Sequence, residues 1–208
     1  MYLCLHKEAD VKLKKMKRVI FAVFAGMLLL TSCNGNAVKG SGSIVSQERT
    51  ASEFYGISND GTANVNVYPG EDYKVVVTTD DNLQDLVSVE VKNSVLHIDT
   101  KQYLRPTKLI VDVHLPKLQS INQNGVGNIK LSDGNASDLD ISLSGVGNID
   151  AQNYQVQNLS IQNSGVGETF IWATDSLSGT LSGVGKVYYK GNPKLNLNIS
   201  GVGGLSKL

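Results

Sequence analysis

Four aspartates lie close together in the chain and are its first candidates for chemistry. Convergent carboxylates can act as general acid and base or bind calcium, often with a basic residue beside them. Only two arginines follow residue 33, Arg49 and Arg105, and both are distant from the aspartates in sequence. We therefore expect a solvated acidic loop and no catalytic residues. The four aspartates are Asp133, Asp138, Asp140 and Asp150.

Histidine, serine and tryptophan offer three further kinds of site. His97 and His114 are single histidines at strand positions, and no cysteine or third histidine supports a metal site. Ser144 precedes Gly-Val-Gly, but a nucleophile elbow or a phosphate loop needs a helix after the motif, and no helical pattern follows. Trp172 could stack on a sugar ring, although its apolar neighbours favour packing. We therefore expect no metal and no cofactor.

The clearest chemistry in the sequence belongs to Cys33, which follows a short export signal. Basic residues precede twelve uncharged, mostly apolar residues from Val19 to Leu30. Twelve residues are too few to cross a bilayer as a helix, but they fit the apolar core of a signal peptide. The run Leu-Thr-Ser-Cys at 30–33 is typical of a lipobox. We therefore expect Cys33 to become the lipid-bearing first residue of the mature protein.

Removal of residues 1–33 changes the balance of charge. This segment carries six of the 19 basic and two of the 19 acidic side chains, so the remainder has four more acidic than basic residues. Such a chain lacks the basic surplus that binds nucleic acid or anionic lipid. Because Cys4 is also removed, Cys33 is the single remaining cysteine and no internal disulfide can form.

Two alternatives stay open: an ordinary secretory signal, and a start of translation at Met16 instead of Met1.

The C-terminal half of the chain is a repeat array built on the triplet Gly-Val-Gly. The triplet occurs five times, at spacings of 20, 20, 18 and 18 residues. A leucine stands six residues before four of the triplets, and asparagine or serine stands directly before all five. We expect the triplet glycines to be structural corners. They are Gly125, Gly127, Gly145, Gly147, Gly165, Gly167, Gly183, Gly185, Gly201 and Gly203.

Apolar and polar residues alternate within each repeat, as at 139–143 and 195–199. Period two predicts half-buried strands. The alternation of apolar and polar residues changes phase at the triplet, because the apolar positions on either side of its first glycine are three residues apart. A strand must bend to place both of these side chains inward, and glycine permits such a bend. Each repeat is therefore predicted to be a strand, a glycine corner with its valine facing inward, a second strand and a polar return such as 132–138.

Two architectures fit these repeats. In a β-solenoid each repeat is one coil and equivalent residues stack in parallel, whereas an antiparallel meander pairs strands through hairpins. Similar side chains at equivalent positions, the nearly constant repeat length and the long polar returns favour the solenoid. The residues directly before the triplets would then form a polar ladder. We interpret this ladder as capping of backbone groups beside the corner and not as a ligand site.

Residues 34–118 are less regular than the repeat array. Strand-like runs at 62–68, 73–79, 86–91, 94–99 and 107–115 indicate further β-structure, and 89–99 fits a hairpin. The small, polar residues 34–43 suggest a short tether from the lipid. The predicted organisation is a lipoprotein signal peptide at 1–33, the tether at 34–43, an N-terminal β-rich module at 44–118 and a β-solenoid with five Gly-Val-Gly coils at 119–208.

Several motifs, in this order, resemble the putative auto-transporter adhesin head GIN domain family over about residues 40–208. The resemblance implies a secreted or lipid-anchored all-β chain that forms a right-handed single-stranded parallel β-helix with an N-terminal β-rich part. It brings no catalytic residues. The motifs are the lipobox at 30–33, Glu-Phe-Tyr-Gly-Ile at 53–57, Asn-Val-Asn-Val-Tyr-Pro-Gly at 64–70, Asp-Asn-Leu at 81–83, Asn-Ser-Val-Leu-His-Ile-Asp at 93–99, Leu-Pro-Lys-Leu-Gln-Ser-Ile at 115–121 and the repeated Gly-x-Gly corners.

These observations predict a non-enzymatic, lipid-anchored β-solenoid of the cell envelope that acts through surface contacts in adhesion or scaffolding. A carbohydrate-binding or carbohydrate-processing solenoid is the alternative, and it requires exposed aromatic residues beside converging acids. We expect attachment at the outer membrane, with periplasmic or external facing left open. The expected partners are the membrane through the lipid and a protein or glycan ligand, without nucleic acid. We also expect weak homodimerisation through the C-terminal coil.

Overall fold

The computed structural model describes residues 37–208, and Val38–Leu208 form one compact unit. The predicted signal peptide and Cys33 therefore lie outside the described residues. The fold is all-β, as predicted, and its helical content within the described range is one short 3-10 helix, Asp81–Leu86. The strands of the first half are β1 Val38–Lys39, β2 Ile44–Arg49, β3 Gly56–Asn59, β4 Asn64–Pro69, β5 Lys74–Asp80, β6 Val87–Lys92, β7 Val95–Thr100, β8 Leu104–Arg105 and β9 Leu109–Leu115. Those of the second half are β10 Ser120–Gln123, β11 Ile129–Leu131, β12 Gly134–Leu143, β13 Ile149–Asn163, β14 Thr169–Leu181, β15 Val184–Lys190, β16 Lys194–Ile199 and β17 Val202–Lys207.

Successive repeats of the array pair with one another in parallel and in register. Before the corner, Ile121 pairs with Ile141 and Ile141 with Ile161, which are offsets of one repeat. After the corner, Ile129 pairs with Ile149 in the same way. Equivalent side chains therefore lie directly over one another, because parallel pairing in register places like residues at neighbouring positions.

The polar returns belong to this parallel sheet, contrary to the prediction of simple connecting loops. Strand β12 begins at Gly134, inside the predicted return at 132–138, and Gly134 pairs with Tyr154 of β13. Pairing between neighbouring returns uses backbone groups that an isolated loop would expose to water. A return that lies over an equivalent return can therefore be extended, even where its side chains are polar.

The N-terminal strands extend the same stack, but out of sequence order. Strand β3 lies between β7 and β10, and it pairs in parallel with both. Strand β4 lies between β9 and β11 in the same manner. The layer formed by 56–69 is thus inserted between the layer of 95–115 and the first repeat of the array. Strands from both sides of the predicted boundary at 118/119 share one sheet.

The sheet is mixed, because antiparallel strands close the stack at its N-terminal end. Strand β5 pairs antiparallel with β9 and β2, and β6 pairs antiparallel with β7. The last pair confirms the predicted hairpin at 89–99, with Asn93 and Ser94 at positive φ in the turn. The 3-10 helix contacts β2, β5 and β6, and its Leu83 is fully buried. Arg49 Nη2 donates to the Gln84 backbone and side-chain oxygens at 2.8 Å each, which fixes this cap.

Part of the predicted tether is bound to the fold. Strand β1 pairs in parallel with β8, through Val38 opposite Leu104. The buried carboxylate of Asp80 accepts hydrogen bonds from the backbone N–H groups of Gly42 and Thr107, both at 2.7 Å. Residues 38–43 are therefore held against the compact unit and do not form a free spacer.

The core is a set of stacked aliphatic columns. Leu139, Leu159 and Leu177 form one column and are each at most 1% exposed. Burial of a leucine side chain contributes roughly 1.5–3 kcal/mol, so the columns supply most of the apolar stabilisation. Two residues of the third repeat interrupt the apolar interior, since Asn163 Oδ1 and Thr169 Oγ1 are buried without a hydrogen-bond partner.

Candidate functional site

The glycine corners are the most regular surface feature and the first candidate site. In every triplet the second glycine, not the first, has a positive φ, between 132° and 145°. The first glycine is required for close approach, because a Cβ on Gly145 would overlap the carbonyl oxygen of Gly125. A Cβ on Gly147 would overlap the carbonyl oxygen of Gly127. Neighbouring corners therefore pack backbone against backbone, which only glycine allows.

The triplet valines face outward, so the predicted inward orientation is wrong. Val146 is 51% exposed, whereas Leu143 and Ile149 on either side of the corner are fully buried. The inward positions on either side of the corner, Leu143 and Ile149, are six residues apart and not three, so the chain returns to the inward phase only at the fourth residue after the first glycine. The outward valines form a continuous row at the corner, which we call the valine ridge. It consists of Val126, Val146, Val166, Val184 and Val202, of which the first four are about half exposed (50, 51, 49 and 53%) and the last is 73% exposed.

Small polar side chains border the valine ridge on both sides. On one side Ser144 Oγ donates to Asn124 Oδ1 at 3.0 Å, within the predicted ladder. On the other side an asparagine ladder accepts backbone hydrogen bonds: the Asn148 N–H donates to Asn128 Oδ1 at 2.9 Å and the Glu168 N–H donates to Asn148 Oδ1 at 2.8 Å. This second ladder was not predicted, although the repeated Gly-Val-Gly-Asn at 125–128 and 145–148 is its signal.

A polar network lies at the N-terminal end of the ridge. Asp60 accepts hydrogen bonds from Ser58 Oγ at 2.7 Å and Asn124 Nδ2 at 2.8 Å, and its other oxygen lies 2.7 Å from His97 Nδ1. Burial raises the pKa of the Asp60 carboxyl group, but the hydrogen bonds from Asn124, His97 and Ser58 outweigh it, and the pKa falls below its ordinary value. Ser58 Oγ donates its hydrogen bond to the acid and not to the histidine, so these residues do not have the hydrogen-bond order of a nucleophilic triad.

Two grooves flank the start of the ridge, beneath the 101–108 segment. One has a volume of about 300 Å³ and is lined by Asp60, Asp99 and the 74% exposed Tyr103. The other has a volume of about 430 Å³ and is lined by Pro106 and Lys108. Val126 contributes to both grooves and therefore separates them. The sequence could not reveal Asp60 as the centre of this region, because its partners lie 37 and 64 residues away.

Aromatic side chains gather on the outer face of β14 and β15. The rings of Phe170 and Tyr188 stack at a centroid distance of 4.9 Å with 8° between their planes. Lys190 Nζ lies 3.7 Å from the ring centroid of Trp172. Tyr188 Oη donates to Glu168 Oε1 at 3.4 Å, the acid nearest to this group. Trp172 is thus a half-buried surface residue of an aromatic face, and its ring is partly covered by lysine.

Two other tyrosines and the predicted acidic candidates do not join this face. Tyr154 is buried at 3% exposure, and Tyr189 packs against the core. Asp133, Asp138 and Asp140 are exposed, and Asp138 Oδ1 accepts a hydrogen bond from Asn158 Nδ2 at 3.2 Å. Within residues 37–208, no three His, Cys, Asp or Glu side chains come together in a way that could hold a metal ion. The same part of the chain contains no helix with the length and apolar character of a membrane span.

Solved structures that are similar to this chain include putative adhesins. A putative adhesin from Bacteroides fragilis NCTC 9343 is 22% identical, with a TM-score of 0.57 over 83% of this chain and 100% of that chain. A putative lipid binding protein from Parabacteroides distasonis ATCC 8503 is 20% identical, with a TM-score of 0.49 over 83% and 99%. A putative adhesin from the same strain is 24% identical, with a TM-score of 0.39 over 83% and 100%. At 22% identity, the similarity to the Bacteroides fragilis protein shows a similar fold and does not extend to its function.

The comparisons by sequence give the family. A search of curated proteins found no match. The family model for the putative auto-transporter adhesin, head GIN domain, matches residues 53–133 and 122–193, which together span more than half of the chain. These ranges include the inserted layer, the Asp60 network and the first four Gly-Val-Gly corners. The chain therefore belongs to the putative auto-transporter adhesin head GIN domain family.

Proposed function

We propose that this protein is a lipid-anchored adhesin or scaffold of the cell envelope that acts by surface contact and without catalysis. The valine ridge is the observation that carries the proposal. Five outward valines in one row are a regular apolar strip on a surface that could have carried polar residues at no cost to the core. Contiguous exposed apolar surface bordered by polar residues is typical of protein interaction sites.

The fold that we propose for this role is a right-handed single-stranded parallel β-helix with an antiparallel cap. The in-register parallel pairing of successive repeats and the positive φ of each corner support it. In such a helix each corner stands over the previous one at a spacing of about 4.8 Å. The ridge would then present its valines as a straight, rigid row, which needs little ordering when a partner binds.

The lipid anchor is the second part of the proposal and rests on the sequence. The Leu-Thr-Ser-Cys run at 30–33 after a short apolar stretch supports lipidation of Cys33. Replacement of Cys33 by Ala should abolish acyl labelling and release the protein from membrane fractions. Labelling that persists in the Cys33→Ala variant would contradict the anchor while leaving the adhesin proposal untouched.

We propose the outer membrane as the place of attachment. Membership of an adhesin family supports a position at the cell surface or in the envelope. Protease treatment of intact cells, with detection of the 37–208 unit, distinguishes external from periplasmic facing. Cleavage in intact cells would place the protein outside. Cleavage only after permeabilisation would place it in the periplasm and would count against adhesion to external surfaces.

Glycan binding is a second candidate function, favoured by the aromatic face. Phe170, Trp172 and Tyr188 lie on one outer wall close to Glu168, and aromatic residues beside polar groups are common in ligand sites. The stacking within the pairs covers part of each ring, however, and leaves less flat surface for a sugar. For that reason the valine ridge is the stronger candidate.

One binding screen separates these two candidates. The probes are a glycan array and immobilised mucin, collagen and fibronectin, and the protein is the fragment 34–208, which contains the whole compact unit. For the ridge, Val146→Lys with Val166→Lys should reduce binding at least tenfold. The matched control, Gln157→Lys with Gln162→Lys, adds the same charge at exposed positions of β13 and should bind like the unchanged fragment.

The aromatic face has its own pair of variants. If glycans are the ligand, Trp172→Ala should abolish binding on the array while the ridge variant retains it. Tyr103→Ala removes an equally aromatic but separate exposed side chain and is the control. Binding that both ridge and aromatic variants leave unchanged would contradict both candidates.

A further inference from the structure

Two short segments that are distant in sequence form a two-stranded ribbon, which we call the β1–β8 ribbon. Strand β1 pairs in parallel with β8, and within residues 37–208 neither strand pairs with any other. The second residues of the two strands, Lys39 and Arg105, lie directly opposite one another and are both exposed. Like charges at opposite positions destabilise a strand pair. The fold therefore gains nothing from this pair of cations, and an anionic partner outside the fold would offset their repulsion.

Positive charge is concentrated around the ribbon, although the chain after residue 33 is acidic as a whole. The segments 37–47 and 100–111 contain four basic residues and no acidic residue. Three ion pairs occur among the described residues, and none of them includes one of these four. The patch therefore keeps its positive charge. The four residues are Lys39, Lys101, Arg105 and Lys108, and all of them are exposed.

Hydrogen bonds hold the ribbon in a fixed place on the body of the protein. Asn82 Nδ2 donates to the Lys39 carbonyl oxygen at 2.9 Å, and the Gly40 N–H donates to the Arg105 carbonyl oxygen at 3.0 Å. The Asp80 carboxylate, described above, binds the backbone of both segments. The backbone that carries the two cations is therefore already ordered, and a partner that binds them pays little for ordering it.

The ribbon is also the part of the described structure that is nearest in sequence to the proposed lipid. Its first residue, Val38, follows Cys33 by five residues, which span at most about 18 Å when fully extended. A lipid on Cys33 would therefore hold the ribbon within this distance of the headgroups. The negative potential of a membrane surface falls off within a Debye length, about 8 Å at physiological salt, so only a surface held this close can use it.

We propose that the β1–β8 ribbon is a membrane-contact surface that binds the phosphate groups of anionic lipid headgroups. Lys39 and Arg105 supply two adjacent cations for the phosphates. Tyr103, which directly precedes β8 and is 74% exposed, supplies an aromatic ring of the kind that lies at headgroup level. The inference rests on the proposed anchor, because the lipid on Cys33 brings the membrane to the ribbon. For the same reason a membrane is favoured over any other anionic partner.

The contact would orient the protein on the membrane. The ribbon belongs to the layer of 95–115, and the layer of 56–69 and then the repeats follow this layer in the stack. Val126 is thus the ridge valine nearest to the ribbon, and it lines a groove together with Tyr103 and Leu104. The rest of the valine ridge extends away from the ribbon, toward Val202. A body that is held by its ribbon therefore keeps the far part of the ridge free for a partner.

Co-sedimentation of the fragment 34–208 with lipid vesicles tests the ribbon without the anchor. At low salt the fragment should bind vesicles of phosphatidylcholine that contain phosphatidylglycerol, and it should bind pure phosphatidylcholine vesicles at least tenfold more weakly. Each basic residue at a membrane surface contributes roughly a factor of five, so Lys39→Glu with Arg105→Glu should weaken binding at least tenfold. The matched control, Lys130→Glu with Lys186→Glu, makes the same change of charge at exposed positions of β11 and β15 and should retain most of the binding.

Further measurements keep this test decisive. Lys39→Gln with Arg105→Gln introduces no new charge and should also lose binding, while its melting temperature should be at least that of the unchanged fragment. No binding to the anionic vesicles, or equal loss in the ribbon and control variants, overturns the proposal. Competition by inorganic phosphate at constant ionic strength would indicate a site for free phosphate, and capture on heparin without binding to vesicles would indicate a sulfated glycan. Either result also overturns the membrane contact.

An environment-sensitive dye tests which face meets the lipid. The fragment 34–208 contains no cysteine, so Tyr103→Cys and Gln162→Cys each provide one exposed site for the label. On anionic vesicles the emission of the dye at position 103 should shift to the blue, and the emission at position 162, on β13, should not. Equal shifts overturn the assignment to the ribbon. A failure of the anchor appears in the acyl labelling of Cys33→Ala and a failure of the ribbon in these vesicle assays, so the two are distinguishable.

Discussion

At the scale of single residues, the second glycine of each triplet is the position least tolerant of change. Its φ lies in a region that is nearly restricted to glycine, and its backbone contacts the corner of the previous repeat directly. The cost of a side chain therefore has two parts, backbone strain and overlap with a neighbouring carbonyl oxygen. Close packing of the corners is therefore sufficient to explain why the triplet recurs so regularly.

Gly147→Ala should lower the free energy of unfolding by about 3 kcal/mol or more, from strain and overlap combined. Gly70→Ala is the control, because a Cβ on Gly70 meets only the carbonyl oxygen of Tyr68 at 4.0 Å and Gly70 lacks a positive φ. We expect a change of about 0.5 kcal/mol or less for this control. Urea denaturation followed by circular dichroism measures both. Equal stability of the two variants would show that the corner relaxes easily.

A second residue-scale prediction concerns the polar interruption of the core. Thr169 Oγ1 is fully buried without a partner, and its column is otherwise formed by Ile129, Ile149 and Val187. Thr169→Val keeps the shape and removes an unpaired hydroxyl group, which costs about 1–3 kcal/mol when buried. The variant should therefore be more stable by about 1–2 kcal/mol. Thr180→Val, at an exposed position, should change stability little. A loss of stability in Thr169→Val would indicate that a water molecule satisfies the hydroxyl.

At the scale of elements, the fold depends on parallel strands that repeat and on antiparallel strands that end the stack. The asparagine ladder at 128 and 148 shows how neighbouring repeats are joined beside the corner, since each amide oxygen accepts the backbone N–H of the equivalent residue in the next repeat. The N-terminal cap relies in the same way on side chains that bind backbone groups. Asp80 is the clearest case, because it holds both the 40–42 segment and Thr107.

Asp80→Asn should destabilise the protein in a manner that depends on pH. Burial raises the pKa of the Asp80 carboxyl group, but hydrogen bonds from the backbone of Gly42 and Thr107 outweigh it and lower the pKa below its ordinary value. The stabilisation is therefore fully present above the pKa of the unfolded chain, about 4, and is lost as pH falls through the lower pKa of the folded state. The difference in melting temperature between the unchanged protein and Asp80→Asn should be largest near pH 7 and should shrink toward pH 2. A difference that is constant with pH would contradict a role for the charged carboxylate.

At the scale of the whole molecule, stability should decrease toward the last described repeat, which contains β16 and β17. The central strands β12, β13 and β14 have partners on both sides, whereas β16 and β17 each have one among the described residues. The exposed core residues Leu195 and Ile199 add little burial to the last repeat. The repeats stack mainly on their neighbours, so the last one can open without disrupting the others.

Amide hydrogen exchange on the dilute fragment should show this gradient. Exchange should be fastest in β16 and β17 and slowest in β13, while the capped strands β2 and β6 should lie between them. Protection of β16 equal to that of β13 in the dilute fragment would contradict the gradient.

The sequence by itself determined the local structure of the repeats. Period-two alternation at 139–143 and 195–199 predicts strands, and identical triplets at nearly constant spacing predict that equivalent residues stack. The hairpin at 89–99 was also predictable, since its turn residues and alternating strands are adjacent in the chain. The Leu-Thr-Ser-Cys run at 30–33 predicts a lipobox from adjacent residues alone, and this stays a prediction. All these features depend on residues within about twenty positions of one another, so local pattern contains them.

Only the tertiary structure decided which way the corners face and how the ends are formed. The outward orientation of Val146 depends on how tightly the backbone of its two flanking glycines packs on the corner of the previous repeat. This contact exists only when one repeat lies on another. The insertion of 56–69 between 95–115 and the first repeat of the array is invisible in a chain that is read in order. The Asp60 network joins residues from three layers for the same reason. Such features are set by contacts between distant segments, and their free energy arises only after the stack has formed.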